Sequence, residues 1–337
     1  MALLGSQSIV MRLILVCMAA LSMVDAAARP LAQWRKLSAL VEEKPLVLQY
    51  HNGPLLTTKP ILNLHLIWYG NFTSTQRTIV ADFVQSLGKG DGKHGFPSVS
   101  AWWKTTEAYK GSAPSKLNQA QILNPRLGKQ KLDEAYSLGK SLKRSDIAVL
   151  VRSAIQSRAL PPPQKKISNG EVELYLVLTS EDVMVENFCS SSCGFHGSSK
   201  AGIDYAYAWV GNSATQCPGQ CAWPFHQPLY GPQSPPLLPP NGDVGIDGMI
   251  INIAASVAGA VTNPFKSGYF QGDAAAPLEA VSACGGMYGK GAYPGYAGQL
   301  LVDETTGASY NAHGVNGRTF LLPAMWDPTS RSCKTLV

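Results

Sequence analysis

Hydrolysis by a nucleophile needs a hydroxyl or thiol, a base to deprotonate it and an acid to orient that base. Ser198 or Ser256, His196 or His313, and Asp247 supply those residue types. No G-x-S-x-G turn accompanies them, and nothing in their spacing requires them to meet. His196, His226, Asp247 and His313 all stand beside turn-forming residues. No H-E-x-x-H pair aligns two imidazoles one helical turn apart, so metal chemistry has no local signature. Histidines hydrogen-bonded within loops are the reading these positions support best, and no metal or cofactor is expected. The spacings Cys189/Cys193 and Cys217/Cys221 are C-x-x-x-C, wider than the usual C-x-x-C zinc knuckle.

Aromatic residues offer recognition chemistry instead. A flat ring covers the apolar face of a sugar, while neighbouring polar groups bond its hydroxyls. The stretches "IWYGNF", "AYAWVGN" and "YGKGAYPGYAG" set rings beside turns. Trp68 and Trp209 lie on apparent strands and are expected in the core. Tyr288, Tyr293 and Tyr296 lie in a glycine-rich loop and are expected to face solvent. These tyrosines, with His196, His313 and Asp247, are the candidate ligand-binding residues.

The N-terminus bears on the compartment. "MALLGSQSIVMR" ends in a lone Arg12, the apolar "LILVCMAAL" follows, and "VDAAARP" supplies small residues for cleavage. That order predicts a secretory signal peptide over residues 1–26. No transmembrane segment is expected after its removal, because the apolar run at 250–261 is short and contains Asn252 and Ser256. Six cysteines then remain: Cys189, Cys193, Cys217, Cys221, Cys284 and Cys333. An even count in a secreted chain favours disulfides, and six allow 15 pairings. Closure within "CSSSC" and within "CPGQC", plus a long Cys284–Cys333 link, is the preferred pattern. "NFT" makes Asn71 a glycosylation acceptor. Secretion and the lack of an aromatic-plus-basic module exclude nucleic acid. The net charge of +6 is compatible with loose attachment to an acidic polysaccharide or with ordinary solubility, and selects neither.

The elements that must position these residues alternate in type. Residues 27–58 read as an arm leading into a first short strand, "LVLQYHNG". "ILNLHLIWYG" at 61–70 reads as a central strand holding His65, and 76–87 as a helix. "SVSAWW" starts a second helix behind capping serines. Residues 126–158 read as helical and basic, with a fresh start at Ser145-Asp146 and Ile147, Leu150, Val151 and Ile155 on one face. "GEVELYLVLTS" and "DYAYAWVG" read as strands, "FHQPLYGPQSPPLLPPNG" as irregular chain, and 247–262 as an apolar helix. Short strands and tight turns are expected in the glycine-rich remainder. The fold class is α+β: one compact domain over 59–337 with a mixed central sheet, flanking helices and a glycine-rich C-terminal region.

"SSCGFHG", "NIAASVAGAVTNPF", the long block from "APLEAVSACGG" to "LLPAMWDP" and the terminal "CKTLV" resemble the plant EXORDIUM / phosphate-induced protein 1 family. The resemblance implies a protein of the apoplast and cell wall, linked to cell expansion and brassinosteroid-promoted growth, with no established reaction. Microbial relatives look zincin-like, with a helix of the form H-E-L-x-E-A-x-T-D-P. Laid on this chain, the histidine falls on Ala255, the glutamates on Ser256 and Gly259, and the aspartate on Asn263. The resemblance therefore implies a zincin-like fold with a lost metal site. Non-catalytic binding of a cell-wall polysaccharide or an extracellular receptor is the expected function. A hydrolase acting on wall glycan or peptide, and a structural wall protein, are the alternatives.

Overall fold

Ile61–Tyr69 is an interior strand of a five-stranded sheet, with Leu62, Leu64, Leu66 and Trp68 on one face and Ile67 and Tyr69 on the other. Burial on both faces explains why this stretch is nearly continuously apolar. The computed structural model describes residues 45–88, 96–110, 123–163, 170–190, 192–199 and 204–337. The expected signal peptide and most of the expected N-terminal arm lie outside them.

The sheet strands are β1 (Ile61–Tyr69), β2 (Asn124–Asp133), β3 (Glu171–Thr179), β4 (Gly194–Ser199) and β5 (Tyr205–Gly211). Their order is β2-β1-β3-β5-β4. The first four in that order run parallel, and β4 lies antiparallel to β5 at the edge. The expected mixed central sheet is present. Three longer helices flank it: α1 (Ser74–Gly88), α2 (Arg144–Gln156) and α3 (Val244–Thr262). Because strand side chains alternate, one apolar cluster joins Leu62, Leu64 and Leu66 to α1 and α3, and another joins Ile67 and Val177 to α2. The chain from Leu46 to Val337 forms one compact unit. Its C-terminal part consists of short antiparallel pairs joined by turns, as the glycine content predicts.

Helix α3 begins one turn earlier than its apolar pattern suggests, because Asp243 accepts a hydrogen bond from the Ile246 N–H at 2.9 Å. It is long and apolar enough to cross a membrane, yet it is buried almost all round by its own fold.

Three expectations are corrected. Residues 126–133, read as helical and basic, lie on β2. Parallel pairing with β1 outweighs the local preference. The pairing is irregular at Gly128, where a Cβ would stand 2.3 Å from His65 Nδ1 and the Lys129 N–H donates to that nitrogen at 2.9 Å. This leaves the proton of His65 on Nε2, which donates to Glu173 at 2.5 Å inside the sheet. Second, the polar, glycine-bearing "GFHGSS" gave no strand signal, yet it forms β4. Third, the local cysteine closures do not occur. The bridges are Cys189–Cys217, Cys193–Cys221 and Cys284–Cys333, of which only the last was anticipated. Cys217 and Cys221 stand one turn apart across the short helix Pro218–Cys221, so both sulfurs leave on one side toward the turn bearing Cys189 and Cys193.

The two crossed bridges close nearly the same loop, so deleting either one leaves that loop shut. Loss of Cys284–Cys333 opens a separation of 49 residues and is expected to cost about 4 kcal/mol. Each of the others alone should cost much less. Non-reducing peptide mapping and chemical denaturation of the three double-serine variants check pairing and ranking together, and a Cys217–Cys221 linked peptide would refute the pairing.

Candidate functional site

Two places on the molecule gather the residues singled out by the sequence. The first lies between β4 and the last turns of α3. Gly194 and His196, two residues apart on β4, present the same face to the helix. A Cβ on Gly194 would come within 2.9 Å of Ser256 Oγ, and a Cβ on Gly259 within 2.9 Å of the His196 ring and of Glu279. His196 Nε2 donates to both Glu279 oxygens at 2.9 and 2.8 Å, and Asn263 Nδ2 donates to one of them at 2.6 Å. Asn263 Oδ1 in turn accepts from the Gly268 N–H at 2.8 Å. The His196 side chain is 10% exposed, and its Nδ1 is buried without a partner.

Two of the four helix positions aligned with a metal-binding pattern, Gly259 and Asn263, thus meet the His196–Glu279 pair, whose acid the alignment did not indicate. Glu279 was missed, although it is the lone acid between Asp273 and Asp303, set in the otherwise uncharged "APLEAVSAC". The donors do not fit a zinc ion. Ala255 and Gly259 carry none, Ser256 offers a neutral hydroxyl, and His196, Glu279 and Asn263 are engaged with one another. Among the described residues no three His, Cys, Asp or Glu side chains are gathered to hold a metal.

The other candidate polar residues lie elsewhere. Asp247 sits in the first turn of α3, twelve residues before Gly259, which is about 18 Å along the axis. A triad linking Asp247 to His196 is therefore not assembled. The Asp247 carboxylate accepts from Asn241 Nδ2 at 2.7 Å and from its N–H at 2.8 Å, and burial pushes its pKa up to about 7. Asn241 also accepts from Arg318, which bonds Asp82 at 2.8 Å, and this network lines a polar cavity of about 470 Å³. His313 belongs to the short strand Ala312–His313, with its N–H bonded to the Pro97 carbonyl and its ring 5.2 Å from Tyr310. His226 is exposed beside the proline-rich segment, and Ser198 lies on β4 opposite Ala206.

The second place is an open groove of about 830 Å³ between the proline-rich segment at 228–232 and the glycine-rich loop at 285–295. Trp223, Tyr230 and Tyr293 are its rings, and Gln220 and Ser190 its polar side chains. None of the described residues lining it is charged. Tyr293 is 64% exposed, and Tyr296 packs against it with ring centroids 5.1 Å apart. Tyr288 departs from expectation: it is 4% exposed, part of a small cluster with Phe225, Ile251 and Leu321. Its hydroxyl donates to the Trp223 carbonyl at 3.2 Å, so it braces the groove from beneath, and burial raises its pKa. Trp68 and Trp209 are in the core.

Fold and sites together describe a disulfide-stapled α/β domain with a self-satisfied polar cluster under one helix and an open uncharged groove. The chain belongs to the phosphate-induced protein 1 family. Residues 48–336 match its model, described as Phosphate-induced protein 1 conserved region. The chain is 54% identical over 307 residues to Protein EXORDIUM-like 2 of Arabidopsis thaliana, covering 89% of this chain and 93% of that protein. It is 55% identical over 310 residues to Protein PHOSPHATE-INDUCED 1 of Nicotiana tabacum (90% and 93%). To Protein EXORDIUM of Arabidopsis thaliana it is 52% identical over 311 residues (90% and 93%). No solved structure matches the chain significantly.

Elemental analysis of protein purified without a metal-affinity tag is expected to give far less than one zinc per chain. A stoichiometric ion that survives dialysis and disappears in His196→Ala would overturn this. For Asp247, a folded pKa above the unfolded value near 3.8 means that its stabilisation is full at low pH and is lost as pH rises toward 7. Wild type should therefore lose up to about 4 kcal/mol between pH 4 and pH 8 from this residue. Urea unfolding of Asp247→Asn should show a correspondingly flatter profile, and an unchanged slope would remove Asp247 as the source.

Proposed function

We propose that this protein is secreted into the cell-wall space and there regulates cell expansion by binding a wall component or an extracellular receptor, without catalysing a reaction. The observation that carries this reading is the groove. Its rings at Tyr230 and Tyr293 are exposed and its walls are fixed, and among its described lining residues no carboxylate or imidazole stands beside the Ser190 hydroxyl to serve as acid or base. Three disulfides suit an oxidising compartment, and the names of the relatives are compatible with a growth-related role. The brassinosteroid link comes from the family resemblance. Asn71 is exposed directly after β1, as a glycan acceptor must be.

One observation favours the hydrolase alternative: His196 is oriented by Glu279, as a general base would be. Its free nitrogen, however, is buried and bonded to no nucleophile. Retention of the purified protein on isolated wall material, together with elongation of treated plant tissue, tests the main reading. Both should saturate with dose, and both should remain in His196→Ala if that variant folds. Turnover of a wall glycan or peptide that is abolished by His196→Ala, with the melting temperature preserved, would replace binding by catalysis.

A further inference from the structure

We infer that the groove is a subsite for a neutral, flat-faced glycan chain of the β-linked hexopyranose type. This rests on the binding reading above and specifies its ligand. The first support is charge. A protein carrying a formal net charge of +6 would attract a polyuronate through its lysines and arginines, yet no described residue lining this groove is charged. An acidic chain laid here would lose hydration without gaining a counterion.

The second is the chemistry of the rings. Each face of a β-linked hexopyranose presents C–H groups, with hydroxyls around the edge. Tyr230 and Tyr293 are 89% and 64% exposed, and Trp223 is half-buried between the walls. Such rings offer apolar faces while their own polar tips remain hydrated. Gln220 and Ser190, both exposed, supply amide and hydroxyl groups for sugar hydroxyls. The volume of about 830 Å³ lies within the range of ligand clefts, roughly 300–1,000 Å³.

The third is rigidity. Ser234 Oγ donates to the Gly295 carbonyl at 2.6 Å, tying the proline-rich wall to the glycine-rich one. Tyr293 and Tyr296 exchange backbone hydrogen bonds at 3.1 and 2.8 Å, and Gln233 donates to the carbonyls of Pro228 and Gly231. Walls held in this way lose little freedom on binding, which matters for a ligand whose individual contacts are weak. An extended peptide fits less well. None of the described residues lining the groove belongs to a strand whose edge could pair with a peptide backbone.

The test is calorimetric titration of the mature protein with cellohexaose, an oligogalacturonate and a proline-rich peptide, in wild type, Tyr230→Ala and Tyr293→Ala. Both side chains are exposed, so the melting temperature should hardly move. Cellohexaose is expected to bind saturably, and each substitution to weaken it about tenfold. Any oligogalacturonate binding should be indifferent to both substitutions. Failure of cellohexaose to bind, or equal binding by all three proteins, overturns the inference, as does oligogalacturonate binding that the substitutions abolish. If the peptide alone binds and loses affinity in the variants, the glycan assignment falls and the binding reading stands. If no ligand binds and a variant combining Tyr230→Ala with Tyr293→Ala is retained on wall material like wild type, the groove's part in both falls.

Discussion

The rest of the structure depends on how closely other elements approach α3. A helix with large side chains all round would hold its neighbours about 8–10 Å from its axis. Here glycines and small residues remove that spacing on chosen sides. At Gly248 a Cβ would stand 2.7 Å from the Cβ of Ala222, and at Gly259 it would meet the His196–Glu279 pair. The same helix fills the core with Ile246, Met249, Ile253 and Val257 toward the sheet. It therefore acts as both a hydrophobic wedge and a close-packing surface. The two roles explain a sequence that is strongly apolar yet poor in bulk.

That close approach also locates the groove. Asn252 of α3 donates to the Cys221 carbonyl at 2.8 Å, holding the short helix Pro218–Cys221 against its side. The two crossed disulfides then tie this short helix to the turn before β4. Gly219, Gln220 and Trp223, one wall of the groove, follow from that anchorage. Beneath the other wall, Ile251 packs with Tyr288 and Leu321. A displacement of α3 would thus reach the groove by two routes, one through a side-chain amide and disulfides, the other through apolar contact.

Much of this architecture was legible in the sequence. β1, β3 and β5 announced themselves because burial on both faces demands continuous apolar runs, and α2 and α3 because their patterns have helical period. The Ser98 cap was legible too, since its hydroxyl accepts from the Ala101 N–H. What escaped was decided by partners distant in sequence. β2 carries Arg126, Lys129 and Lys131, which read as a solvated helix face. It is a strand because β1 supplies a ladder on one side while those side chains remain at the surface. β4 has almost no apolar residues because it is an edge. Tyr288, in the same loop as Tyr293, differs in fate because Trp223 and Phe225 fold over it from a segment more than sixty residues away. The rings at Trp223 and Tyr230 could have been flagged by "AWPFHQPLYG", where aromatics stand among prolines that fix the backbone, but nothing local said that they would face Tyr293.

The cluster under α3 holds a largely buried acid in place through its neighbours' hydrogen bonds. Burying a carboxylate is costly unless hydrogen bonds replace its water. Glu279 meets that condition through His196 and Asn263, and the space for its carboxylate exists because position 259 has no side chain. Each part requires the others. A larger residue at 259 would expel the pair, and losing Asn263 would leave a carboxylate oxygen short of a donor. A metal taking His196 through Nε2 would break its bonds to Glu279, and one approaching the buried Nδ1 would find no cluster of His, Cys, Asp or Glu ligands gathered there among the described residues. The exposed rings of Tyr230 and Tyr293, on the open groove, lie outside this cluster.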